Sequence, residues 1–160
     1  GGTRGGRDFD TTADKDWLDT LELNLLSAIR ITRLGLPGMK TRHWGRIVNI
    51  TAIGGKSPDT HSTPTSVTRA AGIALTKAIS KEYACHGILV NTVCPAGMKS
   101  RLQSREHTPQ HMIDMTLNTI PLKRMCEPVE VARMVEWLVS EENTYATGAT
   151  FDVVGGRVMN

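Results

Sequence analysis

The sequence predicts an α/β fold in which helices flank a parallel sheet, and two observations support this prediction. Segments with helical periodicity alternate along the chain with short, strongly apolar segments. Segments 45–52 and 88–95 carry apolar residues at neighbouring positions and not only at alternate ones. This pattern is typical of strands that are buried on both faces. A long helical segment joins them, which is the usual connection between parallel strands.

The first predicted helix runs from Asp14 to about Leu36. Thr11 and Asp14 have the spacing of an N-terminal helix cap, and Pro37-Gly38 is expected to end the helix. Its apolar side chains recur at helical spacing, at Trp17, Leu18, Leu21, Leu25 and Ile29.

The glycine- and proline-containing segment 53–64 predicts a loop, and 65–86 predicts a second long helix that Gly87 ends. Its face of small residues between 70 and 79 favours close packing against another helix. Strand 88–95 follows at once.

The region 99–125 is polar and irregular, with a short helix expected near 109–119. Pro128 is a favourable first residue for a helix through Ser140, and 148–156 predicts the last strand. No repeat, low-complexity tract or linker interrupts the chain, so residues 1–160 are expected to form a single domain.

Composition excludes several classes of protein. The net charge of +3 and 4% aromatic residues, with no dense basic block, disfavour a nucleic-acid partner. Apolar runs are too short to span a membrane, and the first ten residues lack the apolar core of a secretory signal. The three cysteines, Cys85, Cys94 and Cys126, lack metal-ligand spacing and are expected to be buried, reduced thiols, which favours a cytoplasmic protein.

Five phrases in order resemble the short-chain dehydrogenase/reductase family of NAD(P)-dependent oxidoreductases. They are "DWLDTLELNLLSAIRITR", "GRIVNITAIGG", "RAAGIALTKAISKEYACHGILVNTVCPAG", "PLKRMCEPVEVARMVEWLVS" and "YATGATFDVVGG". The resemblance implies a partial Rossmann-type, doubly wound parallel sheet. The family's first strands and its glycine-rich turn, which holds the cofactor pyrophosphate on backbone N–H groups, have no match here.

The resemblance also implies a catalytic set of Asn, Ser, Tyr and Lys. Asn24 matches the asparagine, whereas Ala52 stands at the serine position, Thr65 at the tyrosine position and Arg69 at the lysine position. In the family the tyrosine phenol transfers the proton and the lysine lowers its pKa. The only tyrosines, Tyr83 and Tyr145, align far from this site. The standard reductase mechanism is therefore expected to be impaired or lost.

NAD or NADP is the cofactor that the resemblance implies. The segment "CPAGMKS" is similar to the family loop that touches the nicotinamide, through Pro95, Ala96, Met98 and Ser100, with Arg69 available to a ribose or phosphate. Ala96 replaces a glycine and Ser100 a threonine, so binding by this chain is in question. No metal site is expected, because the His107/His111 pair has Pro109 between its members and no carboxylate to complete it.

In this family, helices matching 14–36 and 65–86 build a dimer interface, which implies a homodimer or tetramer. The strand at 45–50 would also present an open edge, which is a known cause of association. Two other functions remain open. One is a non-catalytic oligomeric or ligand-binding scaffold. The other is a hydrolase of esters or lactones that would use Thr65, Ser66 or His61 in the same cleft.

Overall fold

The computed structural model describes residues 8–99 and 110–157 and contains a parallel sheet. Its strands are β1 (Gly45–Ile50), β2 (Ile88–Pro95) and β3 (Thr150–Val153), in the order β1-β2-β3. Ile47 pairs with Val90, and Val93 pairs with Phe151. The predicted α/β class with parallel strands is confirmed.

Five helices flank this sheet in the described residues. They are α1 (Asp14–Leu21), α2 (Ser27–Thr41), α3 (Thr63–Tyr83), α4 (Gln110–Asn118) and α5 (Pro128–Val139). A π-helical segment, Glu22–Leu26, joins α1 to α2 without a break. Short 3₁₀ turns occupy Phe9–Thr11, Ile53–Gly55 and Ala84–His86.

The core consists of two clusters on opposite faces of β2. On one face Ile88 and Val90 pack with Ile79 of α3, and Leu36 and Met39 of α2 close the cluster. On the other face Val93 packs with Val131 and Leu138 of α5. Since successive side chains of a strand point to opposite faces, β2 is buried on both sides, as its apolar run predicted.

The first helix begins at Asp14 as predicted, but its predicted cap and its predicted end are both wrong. Thr11 does not begin the helix, because the hydroxyls of Thr11 and Thr12 donate to the carbonyl of Asp8 at 3.1 and 2.8 Å and close a 3₁₀ turn. At the other end the helix continues through Pro37 to Thr41. Pro37 lies inside α2 and removes one N–H donor, but the hydrogen bonds after it still form, and Arg42 N donates to Gly38 O at 3.3 Å.

Other boundaries shift by a few residues. The helix predicted from Thr65 begins at Thr63, so the first turn of α3 takes the end of the expected loop. The cysteine prediction holds in part: all three thiols are free, Cys94 is buried and Cys126 half-buried, but Cys85 is exposed. Cys85 lies in the 3₁₀ turn after α3, where one side of the chain faces solvent.

Within the described ranges, the helices lack the combination of length and apolar character that crossing a bilayer requires. His111 is exposed on α4, while His107 and Ser100 lie outside the described residues.

Candidate active site

Asn24 lies in the π-helical segment, and its side chain faces α3. Its Nδ2 donates to the Thr68 hydroxyl at 3.0 Å, and that hydroxyl donates to the Thr65 carbonyl at 3.0 Å. Single π-helical turns are rare and occur often at functional sites. The asparagine is thus tied through Thr68 to the turn of α3 that carries Thr65.

Ala52 follows β1 in an extended conformation and begins the 3₁₀ turn. The hydroxyl beside it, on Thr51, is buried and lies 2.9 Å from Cys94 Sγ. Burial raises the pKa of the Cys94 thiol, and the hydrogen bond with Thr51 opposes that rise. The hydroxyl next to the serine position therefore faces the interior and not a substrate.

Arg69, one turn after Thr65 on α3, reaches the carboxyl end of β1. Its Nη1 donates to the Ile50 carbonyl at 3.1 Å. Burial lowers the pKa of the Arg69 guanidinium, and the nearby Cys94 acts in the opposite direction. Gly55 permits this packing, because a Cβ there would lie 2.8 Å from the Arg69 carbonyl carbon.

Neither tyrosine of the chain is near Thr65. Tyr83 is the last residue of α3, eighteen positions beyond Thr65, which is about 27 Å along a helix. Tyr145 is 95% exposed and lies between α5 and β3, at the amino end of that strand. The first turn of α3 therefore has no phenol from this chain beside it.

The loop after β2 carries the predicted cofactor contacts. Pro95 ends β2, and Ala96 is buried with its N–H donating to the Val153 carbonyl at 3.1 Å. Met98 bridges to Cys126, since Cys126 N donates to Gly97 O at 2.9 Å. This backbone is thus fixed to β3 and to the segment before α5.

The contacts of His61 lead away from Thr65. His61 has a left-handed backbone (φ 58°), and its Nδ1 lies 2.8 Å from Asp8 Oδ1, with both side chains exposed. Ser66 is buried, and its hydroxyl lies 3.3 Å from that of Ser62. A histidine oriented by a carboxylate is one part of a nucleophile-activating array, and the described contacts do not join it to a hydroxyl.

Sequence reasoning missed three partners in this region. Thr68 holds Asn24, Cys94 holds the Thr51 hydroxyl, and Lys56 forms a 2.6 Å ion pair with Asp152 across the carboxyl edge of the sheet. The contact of Thr68 had one signal in the sequence: Thr68 lies at helical spacing from Gly72 and Thr76, on the buried face of α3. The Lys56–Asp152 pair, 96 positions apart, had no local signal.

The comparisons with known proteins agree on one family. The family model described as enoyl-(acyl carrier protein) reductase matches residues 2–157. An acetoacetyl-CoA reductase of Cupriavidus necator is 36% identical over 144 residues, covering 90% of this chain and 58% of the relative. A granaticin polyketide synthase putative ketoacyl reductase of Streptomyces violaceoruber is 36% identical over 166 residues, covering 97% and 61%.

Solved structures give the same result. A variant of the actinorhodin polyketide ketoreductase with NADPH has a TM-score of 0.88 and 34% identity, covering 97% of this chain and 64% of the other. YwfH, an NADPH-dependent reductase involved in bacilysin biosynthesis, has a TM-score of 0.91 and 27% identity, covering 100% and 65%. The chain thus spans about six tenths of these relatives' length. Its fold, its order of motifs and the matched family model place it in the short-chain dehydrogenase/reductase family.

Proposed function

We propose that this chain is a short-chain dehydrogenase/reductase-type protein whose hydride-transfer chemistry is impaired or absent. The observation that supports the proposal is the pair Thr65 and Arg69 in the first turns of α3, with Tyr83 about 27 Å further along the same helix. The sequence offers no other phenol than Tyr83 and the exposed Tyr145.

The chemical reason concerns the proton that a reduced ketone must receive. A phenol has a pKa of about 10, which a neighbouring cation can bring toward neutral pH, whereas an alkyl hydroxyl stays protonated. Loss of a general acid costs on the order of 10²- to 10⁴-fold in rate. Arg69 keeps a positive charge, and its Nη1 donates to the Ile50 carbonyl. Because Tyr83 lies at the far end of α3 and Tyr145 is exposed before β3, Arg69 has no phenol beside it to activate.

The described residues do not fit a complete NAD(P) site. The N–H of Ala96 is already used by the Val153 carbonyl, and the Ala96 methyl is buried where the family keeps a glycine. In the described ranges, the glycines with positive φ lie after α3, after β2, and before or after β3. None of them stands immediately before the start of a helix, where a glycine-rich turn would hold a pyrophosphate. We therefore propose weak or no affinity for NADH and NADPH, and derive no step through either.

The names of the relatives supply the substrate class for a test. They are ketoreductases and an acetoacetyl-CoA reductase, so we propose a 3-oxoacyl thioester as the compound that this cleft would accept. NADPH consumption with acetoacetyl-CoA, and calorimetric titration with NADPH and NADH, test both parts. We expect no turnover above background and no binding heat.

The matched control is Thr65→Val, which removes the hydroxyl and keeps the size of the side chain. Because we assign Thr65 no proton-transfer role, the variant and the parent chain should behave alike in both assays. Turnover by the parent chain above background would overturn the proposal, and its loss in Thr65→Val would assign the proton transfer to Thr65.

A second candidate function is a non-catalytic oligomeric scaffold. The supporting observation is a row of exposed small and apolar side chains along the outer face of α3, at Val67, Ala70, Ala74 and Ala78. Such a row permits close approach of another helix. A stable homodimer without turnover would favour this function over a weakened reductase.

A further inference from the structure

Residues 53–62 form a strap between β1 and α3 whose two ends are fixed by packing. Ile53 is buried at one end, and at the other end the Ser62 hydroxyl lies 3.3 Å from the hydroxyl of the buried Ser66. Between these ends, Lys56 and residues 58–61 are exposed. A segment that buries little apolar area opens more easily than the elements around it.

The middle of the strap is held by charged side chains instead. Two ion pairs and one histidine–carboxylate contact join it to the rest of the chain, and they are Lys56–Asp152 at 2.6 Å, Asp59–Arg157 at 3.5 Å and His61–Asp8 at 2.8 Å. The partners belong to β3, to the segment after β3 and to the segment before α1. Exposed pairs of this kind contribute little each, so a small free energy favours the closed position.

The strap lies over the thiol of Cys94. Cys94 and Asp152 are paired across β2 and β3, so their side chains point to the same face of the sheet. The Cys94 side chain is fully buried. Burial raises the pKa of this thiol most, and the Asp152 carboxylate and the Lys56 ammonium shift it in opposite directions, which places the Lys56–Asp152 pair beside it. Release of Lys56 from Asp152 would therefore remove part of the cover of Cys94.

We propose that residues 56–61 open as a unit about Ile53 and Ser62, and that the three charged contacts hold them closed over Cys94. Ionic strength then controls access to Cys94 and to the first turns of α3 behind the strap. The range of interaction between exposed charges falls from about 14 Å at 50 mM salt to about 4 Å at 0.5 M. This opening does not depend on whether the cleft transfers hydride, so the inference goes beyond the proposed function.

The test follows alkylation of the parent chain by iodoacetamide, with mass spectrometry of proteolytic fragments to separate the three cysteines. The exposed Cys85 should react quickly and serves as the reference. Relative to Cys85, Cys94 should react slowly in 50 mM NaCl and about threefold faster in 0.5 M NaCl. Urea below the unfolding transition should leave the Cys94 rate nearly unchanged, because opening of the strap exposes little surface.

A double variant, Asp8→Asn with Asp59→Asn, weakens two of the contacts at positions that do not act on the Cys94 thiol directly. It should raise the Cys94 rate in 50 mM NaCl about fivefold, the combined effect of two exposed pairs of ordinary strength, and reduce the response to salt. Asp19→Asn is the matched control, because it breaks the exposed pair with Lys15 on α1 and should leave the Cys94 rate unchanged.

Amide hydrogen exchange gives a second readout: exchange across residues 53–62 should be faster in the double variant, while exchange in β2 stays the same. An unchanged Cys94 rate in the double variant, an equal rise in Asp19→Asn, or no response to salt would overturn the proposal. So would a Cys94 rate that rises with urea as steeply as unfolding does, because the thiol would then be reached by unfolding of the whole chain.

Discussion

Thr76 shows how much of this fold depends on single buried hydroxyls. It is fully buried on α3, and its Oγ1 accepts hydrogen bonds from Asn49 Nδ2 at 2.8 Å and from the Thr92 hydroxyl at 2.7 Å. Its own proton goes to the Gly72 carbonyl at 3.0 Å. One side chain thus joins α3 to both β1 and β2.

Replacing Thr76 by valine should destabilise the chain by about 1–3 kcal/mol, since the shape is kept and two buried donors lose their acceptor. Thr76→Ser is the matched control: it keeps the hydroxyl and removes one methyl, at a cost of about 1 kcal/mol. Urea denaturation measures both. A valine variant at least as stable as the serine variant would contradict this account of the network.

The residues of the candidate site could be located from sequence, but their partners could not. The order of motifs placed Asn24, Ala52, Thr65 and Arg69, and the alternation of helices and strands predicted the parallel sheet that carries them. The link from Asn24 to Thr68 spans 44 positions, and its geometry depends on packing between helices. Periodicity carries no information on such contacts.

At the scale of elements, the sequence likewise predicted where the helices lie but not where they end. Apolar spacing predicted where each helix lies, whereas its ends depended on local competition for hydrogen bonds. Thr11, which was expected to cap α1, closes a 3₁₀ turn together with Thr12 instead, and the π-helical segment around Asn24 leaves no mark in the apolar pattern. The first difference arises from contacts with Asp8, outside the helix itself.

The first turn of α5 gives a prediction on acid stability. The Glu130 carboxylate accepts two hydrogen bonds from Arg124, both at 2.7 Å, and one from Glu127 N at 2.8 Å. Chiefly through Arg124, these bonds lower the pKa of Glu130 from 4.5 to about 2. A pKa lowered by folding stabilises the protein above the unfolded value and loses that effect as pH falls toward the folded value.

Glu130→Gln should therefore be less stable than the parent chain above pH 4.5, and the difference should shrink as pH falls toward 2. Urea midpoints across this range measure it, with Glu136→Gln, an exposed glutamate of the same helix, as the control. A difference between Glu130→Gln and the parent chain that stays constant with pH would contradict the assignment.

At the scale of the whole molecule, the two faces of the sheet are covered unequally. On one face α2 and α3 cover the cluster around Ile88 and Val90, and on the other α5 covers Val93. The outer face of α3 remains exposed at small residues, although helix packing was expected there. The inward positions of α3, such as Ile79, pack on β2, so the small-residue face is left for a contact outside the chain.

We therefore expect the chain to form a homodimer through α3 and the α1–α2 helix, with Ala74 near the centre of the contact. Sedimentation velocity should show a species of twice the 17.5 kDa chain mass. Ala74→Glu places two carboxylates at the contact and should weaken the dimer by about tenfold or more, because like charges repel across a dry interface. Ala132→Glu, at an exposed alanine of α5, should leave the dimer intact. A monomer at all concentrations, or equal effects of the two glutamates, would show that the exposed row on α3 is not an interface.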